Sequence, residues 1–153
     1  MRPITVGDKL PDLVSPPITP RQLVQYAGAS GDWNEIHYHE PFARAAGFPS
    51  VIAHGMLSMA FLGRLCAAWG GTGSVRRLSV RFRAVTFPGD VVTCSGQVVS
   101  VHGTKVEVQL SAKKNDGTIT LDGTAVLSLP AALTTAAVTA ATSGPSAGEP
   151  VAS

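Results

Sequence analysis

The sequence predicts an α+β domain in which one long buried helix is wrapped by a curved antiparallel sheet, and three observations carry that reading. Residues Gly55 to Trp69 form the most apolar run of the chain, broken only by Ser58, Gly63 and Arg64, and a helix that is apolar nearly all round is a buried one. From Ser74 to Leu129 the hydrophobic period changes from helical spacing to two, with turn signals between the runs. The length of 153 residues and a hydrophobic content of 44% suit one domain with a real core.

Taken in order, Ile4 to Ile18 carries three prolines and a Gly-Asp pair, so it reads as extended or irregular, with a short strand at Leu13 to Ile18. Thr19 precedes Pro20, and Pro20 to Ala27 has a capping Thr, a first-turn Pro and apolar Leu23, Val24 and Ala27 at helical spacing, with Gly28 and Gly31 bracketing the end. A second short helix is expected over Glu40 to Ala46, stopped by Gly47. The buried helix follows; at about 1.5 Å per residue it is about 22 Å long, too short to span a bilayer and suited to run beneath a sheet.

In the first strand Leu78, Val80, Phe82 and Ala84 alternate with Arg77, Ser79, Arg81 and Arg83, giving one inward face and one wet, cationic face. Phe87-Pro88-Gly89-Asp90 is a turn, and Val91 to Val101 a strand in which Gly96 suggests a bulge or bend. After His102-Gly103, Val106 to Lys113 alternates again. Asn115-Asp116-Gly117 signals a hairpin, and Ile119, Leu121, Gly123, Ala125, Leu127 and Leu129 continue the inward face. The four long strands are expected in meander order. After Pro130 the composition collapses to Ala, Thr, Ser, Gly, Pro and Val, so the expected division is a domain over 1–130 and a disordered, low-complexity tail over 131–153.

A formal net charge of +2 with 14% charged residues is too mild for a nucleic-acid footprint, which needs dense, clustered basic residues. The first residues show no apolar signal segment, and no window approaches the roughly 20 apolar residues of a membrane span, so a soluble cytoplasmic protein is expected. Cys66 and Cys94 have neither metal-ligand spacing nor a disulfide framework and are read as buried thiols, and no metal is expected.

The polar heptapeptide Gly31-Asp32-Trp33-Asn34-Glu35-Ile36-His37 sits between the first two helices and puts a carboxylate, a carboxamide and an imidazole beside a glycine. Ala53-His54-Gly55-Met56 opens the buried helix and supplies the second half of the site, because N–H groups at a helix start lack intrahelical partners and lie at the positive end of its dipole. Asn34 is read as bracing the loop and His54 as a cap or a packed ring; His39 and His102 are read as solvated.

The segment from Tyr26 to His37, then Ala43, Ala53-His54-Gly55-Met56 and Phe87-Pro88-Gly89-Asp90, resembles the MaoC-like family of (R)-specific enoyl-CoA hydratases and 3-hydroxyacyl-thioester dehydratases, over about Ile4 to Pro130. The resemblance implies a hot-dog fold and a hydro-lyase that interconverts trans-2-enoyl and (R)-3-hydroxyacyl thioesters of coenzyme A or acyl carrier protein. It implies Asp32 and His37 as the catalytic dyad, Gly55 as oxyanion donor with Asn34 beside it, no cofactor beyond the carrier in the substrate, and a homodimer or a heterodimer with a sister hot-dog subunit. Glu35 stands where the family usually carries Pro; turned toward His37 it would favour the imidazolium.

Such a reaction needs a group for the α-proton, a group for the hydroxyl or water, and a donor for the enolate-like oxygen. His37, with a reference pKa of about 6.5, exchanges protons near neutrality, while Asp32 holds and polarises the water. Two other readings are weighed. A hot-dog thioesterase needs a carboxylate on or near the central helix, and Gly55 to Trp69 has no Asp or Glu. A non-catalytic acyl-binding subunit of a heterodimeric dehydratase has no need of both Asp32 and His37. The strand arginines Arg76, Arg77, Arg81 and Arg83 are read as a wet face or as contacts for coenzyme A phosphates or an acidic carrier, and Trp33 and Phe42 as core or acyl-tunnel residues.

Overall fold

Thr19 opens α1 (Pro20–Ser30): its hydroxyl accepts from Gln22 N at 3.2 Å, and Pro20 occupies the first turn, where its missing N–H costs nothing. The computed structural model describes residues 2–134. The helix runs past Gly28 and stops at Gly31, whose φ of 75° turns the chain out of the helix while its N–H donates to Ala27 O. That left-handed residue launches the polar loop. A 3-10 turn (Glu35–His37) and α2 (Glu40–Ala45) follow, and a short extended segment then leads into α3 (Gly55–Gly70).

Helix α3 buries Leu57, Phe61, Leu62, Leu65 and Cys66, with Leu62 and Cys66 fully inaccessible. It packs against a five-stranded, wholly antiparallel sheet of β1 (Leu13–Val14), β2 (Val75–Phe82), β3 (Val92–His102), β4 (Lys105–Lys114) and β5 (Ile119–Ser128). Val98, Val106, Val108, Leu110, Leu121 and Leu127 close the core from the sheet side. Burial pushes the core thiols of Cys66 and Cys94 up, to about 11 and about 12 respectively, which keeps both protonated.

The strand order is β1-β3-β4-β5-β2, so the expected meander is corrected. β2 pairs with β5, from Val75↔Leu127 to Phe82↔Leu121, and does not form a hairpin with β3. The physical reason lies in the connection from Arg83 to Val91, which stays on β5 through Arg83 and Ala84 and from Thr86 to Asp90 is anchored on segments outside the sheet. Thr86 O accepts from Ala53 N, Ile18 O from Gly89 N, and Asp90 O from Ile18 N. The crossover thereby lies against the segment that enters α3.

Three local readings also change. Gly96 is in register opposite Leu110, and the irregularity falls between Val98 and Ser100. A Cβ at Gly96 would lie 3.1 Å from side-chain atoms of Leu10, Leu110 and Val108, so the glycine there admits close packing. A register shift after Ala112 turns Ile119 outward, 43% exposed, and buries Thr120, whose hydroxyl donates to Ala112 O at 3.2 Å. The boundary at Pro130 is four residues early: Ala131–Thr134 forms a helical turn (α4), and Leu133 O accepts from Ile4 N at 2.7 Å. The remainder of the expected tail, 135–153, lies outside the described residues. Among the described residues no helix is long and apolar enough to cross a membrane.

Candidate active site

The 3-10 turn and the segment before α3 are stitched together by reciprocal bonds: Ile52 N donates to Ile36 O at 3.0 Å, and His37 Nδ1 lies 2.8 Å from Ile52 O. A carbonyl only accepts, so Nδ1 carries the proton, and Nε2 of the neutral ring is left as a free base. That nitrogen faces Asp32 Oδ2 at 3.8 Å. The gap is too long for a hydrogen bond and suits a water held by both groups.

Within the loop, Asp32 Oδ1 accepts from Asn34 N at 3.3 Å and Asn34 Oδ1 from Ile36 N at 3.2 Å. Asn34 thus caps the 3-10 turn, and its side chain braces the loop and does not line the cavity. The His37 side chain is buried, whereas the Asp32 side chain is half-exposed. Burial lowers the His37 pKa below its ordinary value, and His54 acts in the same direction; the bond to Ile52 and the Asp32 charge oppose them. The imidazole is therefore neutral, and a base, at neutral pH.

Glu35 turns away from His37. Its carboxylate pairs with His39 Nδ1 at 2.8 Å on the exposed side of the turn, so the expected influence on His37 is corrected, and His39 is solvated but paired.

His37 and Gly55 line one cavity of about 330 Å³. Gly55 is the first residue of α3, so its N–H belongs to the set without intrahelical acceptors. A Cβ there would fall 2.8 Å from Phe82 Cε1, which shows how closely the aromatic ring of β2 approaches this backbone. Ile52, Phe82, Val85 and Leu121 give apolar wall, and Ser58, Thr86 and Thr120 add hydroxyls. Sequence reasoning missed these hydroxyls. Ser58 was visible only as a polar break in an apolar helix, and Thr120 was hidden by the shift of phase after Ala112. Trp33 and Phe42 do not line this cavity; both are exposed, and Trp33 packs edge-on to Tyr38. Arg83 lies at the cavity, its guanidinium paired to the Asp122 carboxylate, which it holds below the usual range. Arg76, Arg77 and Arg81 are exposed.

His54 precedes α3 but makes no side-chain cap bond. Its ring stacks on that of His37, centroids 3.6 Å apart and planes 21° apart, and its Nε2 lies 3.0 Å from Asp32 O. Ligand atoms of Asp32, His37 and His54 all fall within 4.8 Å of one another. The donor set nevertheless fits a metal poorly. Nearly parallel stacked rings project their in-plane lone pairs side by side instead of converging on one ion, and His54 Nε2–H is engaged with the Asp32 carbonyl.

The profile of the MaoC-like domain matches residues 4–120. The chain belongs to this family. The R-hydratase PhaJ1 from Pseudomonas aeruginosa, in its unliganded form, superposes with a TM-score of 0.77 at 28% identity over 83% of each chain, and the fold is accordingly the hot-dog fold. The peroxisomal enoyl-CoA hydratase 2 of Arabidopsis thaliana is 31% identical over 103 residues, 65% of this chain and 32% of that protein. The mitochondrial 3-hydroxyacyl-[acyl-carrier-protein] dehydratase of the same plant is 31% identical over 110 residues, 69% of this chain and 66% of its own length. The chain thus spans less than two thirds of the length of these two curated relatives.

Proposed function

We propose that this protein is a hydro-lyase that adds water to trans-2-enoyl thioesters, or removes it from (R)-3-hydroxyacyl thioesters, with Asp32 and His37 as the acid–base pair and the Gly55 N–H as oxyanion donor. The observation that carries this reading is the arrangement of a neutral, buried imidazole 3.8 Å from a carboxylate, on a cavity that also receives the free N–H of a buried helix. In the hydration direction the water sits between His37 Nε2 and the Asp32 carboxylate. The pair takes a proton from it as its oxygen bonds to C3. The electron pair of the C2–C3 double bond moves toward the thioester, whose oxygen takes up negative charge against the Gly55 N–H at the positive end of the α3 dipole. The proton held by the pair is then delivered to C2 as the carbonyl re-forms, so one water is added in sum. The apolar walls limit competing water around the acyl chain.

The relatives' names include both coenzyme A and acyl-carrier-protein thioesters, and the site chemistry is common to both because it acts on the acyl end. A cavity of about 330 Å³ is at the small end for ligand sites, which favours short acyl chains. The outer edge of β2 is unpaired among the described residues, and Phe82 on it is 53% exposed while lining the cavity. A second hot-dog subunit, identical or a sister chain, would cover this edge and complete the wall. The alternative of a thioesterase finds no carboxylate on α3.

Hydration of trans-2-enoyl-CoA thioesters of increasing length, followed by loss of enoyl absorbance, tests the reading, with the same acyl groups on acyl carrier protein in parallel. Turnover that is greatest for short chains on either carrier is expected. Absence of hydration on both carriers, together with thioester hydrolysis, would establish the thioesterase instead.

A further inference from the structure

We propose that His54 is a positioning residue that locks the Asp32 backbone and the His37 ring into one rigid unit. The inference rests on the hydro-lyase reading of the same site.

The position of His54 does not account for its identity. It stands at the cap position of α3, yet its side chain caps nothing, and it is 2% exposed. Because Asp32 O only accepts, the proton must be on His54 Nε2, which leaves Nδ1 as a bare acceptor; that atom is buried and has no partner among the described residues. A buried polar atom without a partner carries a desolvation cost that an apolar ring of the same size would avoid. What the imidazole adds is a pair of contacts that Phe or Leu cannot make together. One is the bond to Asp32 O across 22 residues of sequence. The other is the stack on His37, with Tyr26 also packed against the His54 ring at 5.0 Å between centroids.

Asp32 lies in an exposed loop that is tied to the segment before α3 at its far end, through Ile36 and His37, while the other hydrogen bonds of Asp32 itself are local, to Ser30 and Asn34. The bond from His54 is thus the one that references Asp32 directly to the α3 end of the site, while the stack fixes the plane of the base. The 3.8 Å separation, suited to a shared water, depends on both. An error of about 1 Å in such a geometry costs on the order of a hundredfold in rate.

The groups facing His37 are Asp32 from the loop after α1, His54 and the Ile52 carbonyl from the segment before α3, and Arg83 from the β2–β3 connection across the cavity. Two imidazoles stacked 3.6 Å apart repel once both are protonated, so the second ring disfavours the charged form of His37. Removal of His54 should therefore raise the pH at which His37 titrates, an effect that loss of packing alone would not produce.

Two variants separate the contacts. His54→Phe keeps a stacking ring and loses the bond to Asp32; His54→Gln keeps a donor for Asp32 O and loses the stack. In protein shown by circular dichroism to be folded, the His37 ring resonance is titrated by NMR, and crotonyl-CoA hydration gives kcat and KM. The NMR readout holds even if crotonyl-CoA is not a substrate, and wild-type turnover tests the functional reading separately. The expected result is a higher His37 midpoint in His54→Phe and a kcat lowered about tenfold or more in both variants, with KM within about twofold of wild type. An unmoved His37 midpoint in folded variants, or wild-type kcat in both, would overturn the proposal.

Discussion

His37 owes its chemistry to two unlike neighbours: a carbonyl that fixes which nitrogen bears the proton, and burial that disfavours the charged ring. Since the neutral form is the base, hydration activity should fall as pH drops through a His37 pKa that lies below its ordinary value of about 6.5. The acid limb of kcat/KM, measured with crotonyl-CoA, is expected below pH 6.5 or so; a limb clearly above that would contradict the buried, neutral ring. The same ring binds fewer protons folded than unfolded, so stability is fully present above about pH 6.5 and declines as pH falls toward the folded pKa. Glu35 offers a contrasting test. Because its carboxylate pairs with His39, Glu35→Pro should leave the acid limb where it is, and a downward shift would mean that the carboxylate reaches His37 after all. Asp32, His37 and Gly55 were legible in the sequence because a short loop and a helix start are local features. His54 was legible as a packed ring but not by what it packs on, because its partners lie 17 and 22 residues away and chain spacing does not encode a stacked ring.

At the level of elements, α3 was readable from its all-round apolarity and α1 from its Thr-Pro start, with Gly31 in place of Gly28 as the stop because only Gly31 adopts the left-handed conformation. The faces of the strands were largely readable too, since a period of two assigns inside and outside. Neighbours were not. Pairing of β2 with β5 joins residues from about 40 to about 50 positions apart, and nothing in an alternating pattern distinguishes that from a hairpin with β3. The consequence is functional, because the far placement of β2 brings Phe82 onto Gly55. Phe82→Ala should open the cavity beside the oxyanion donor and shift the preference among trans-2-enoyl-CoA substrates toward longer chains. An unaltered chain-length profile would show that another residue sets the limit.

For the molecule as a whole, the sheet leaves β2 at one edge with Arg76, Arg77 and Arg81 exposed and Phe82 half-covered. Charges on an edge strand discourage indiscriminate pairing, while the exposed ring at the cavity wall marks a surface that gains from a specific cover. Sedimentation equilibrium at micromolar concentration should give a dimer of this chain, or a monomer that dimerises when a sister hot-dog subunit is added. Full hydration activity from a monomer would contradict the need for a second subunit. The C-terminal boundary was misplaced in the sequence because a four-residue turn has no periodicity to detect; its hold on Ile4 appears only once the two ends of the domain meet.

The most direct test is the double-mutant cycle of Asp32→Asn and His37→Gln, assayed by crotonyl-CoA hydration with circular dichroism to confirm folding. Both substitutions keep side-chain size and much of the hydrogen bonding while removing the acid–base function. Each single change is expected to lower kcat by about 10²- to 10⁴-fold. The double variant should be little worse than the poorer single, because the two groups act on one water as a unit. A folded His37→Gln variant that kept more than about a tenth of wild-type turnover would contradict the hydro-lyase account and leave an acyl-binding subunit as the reading of this site.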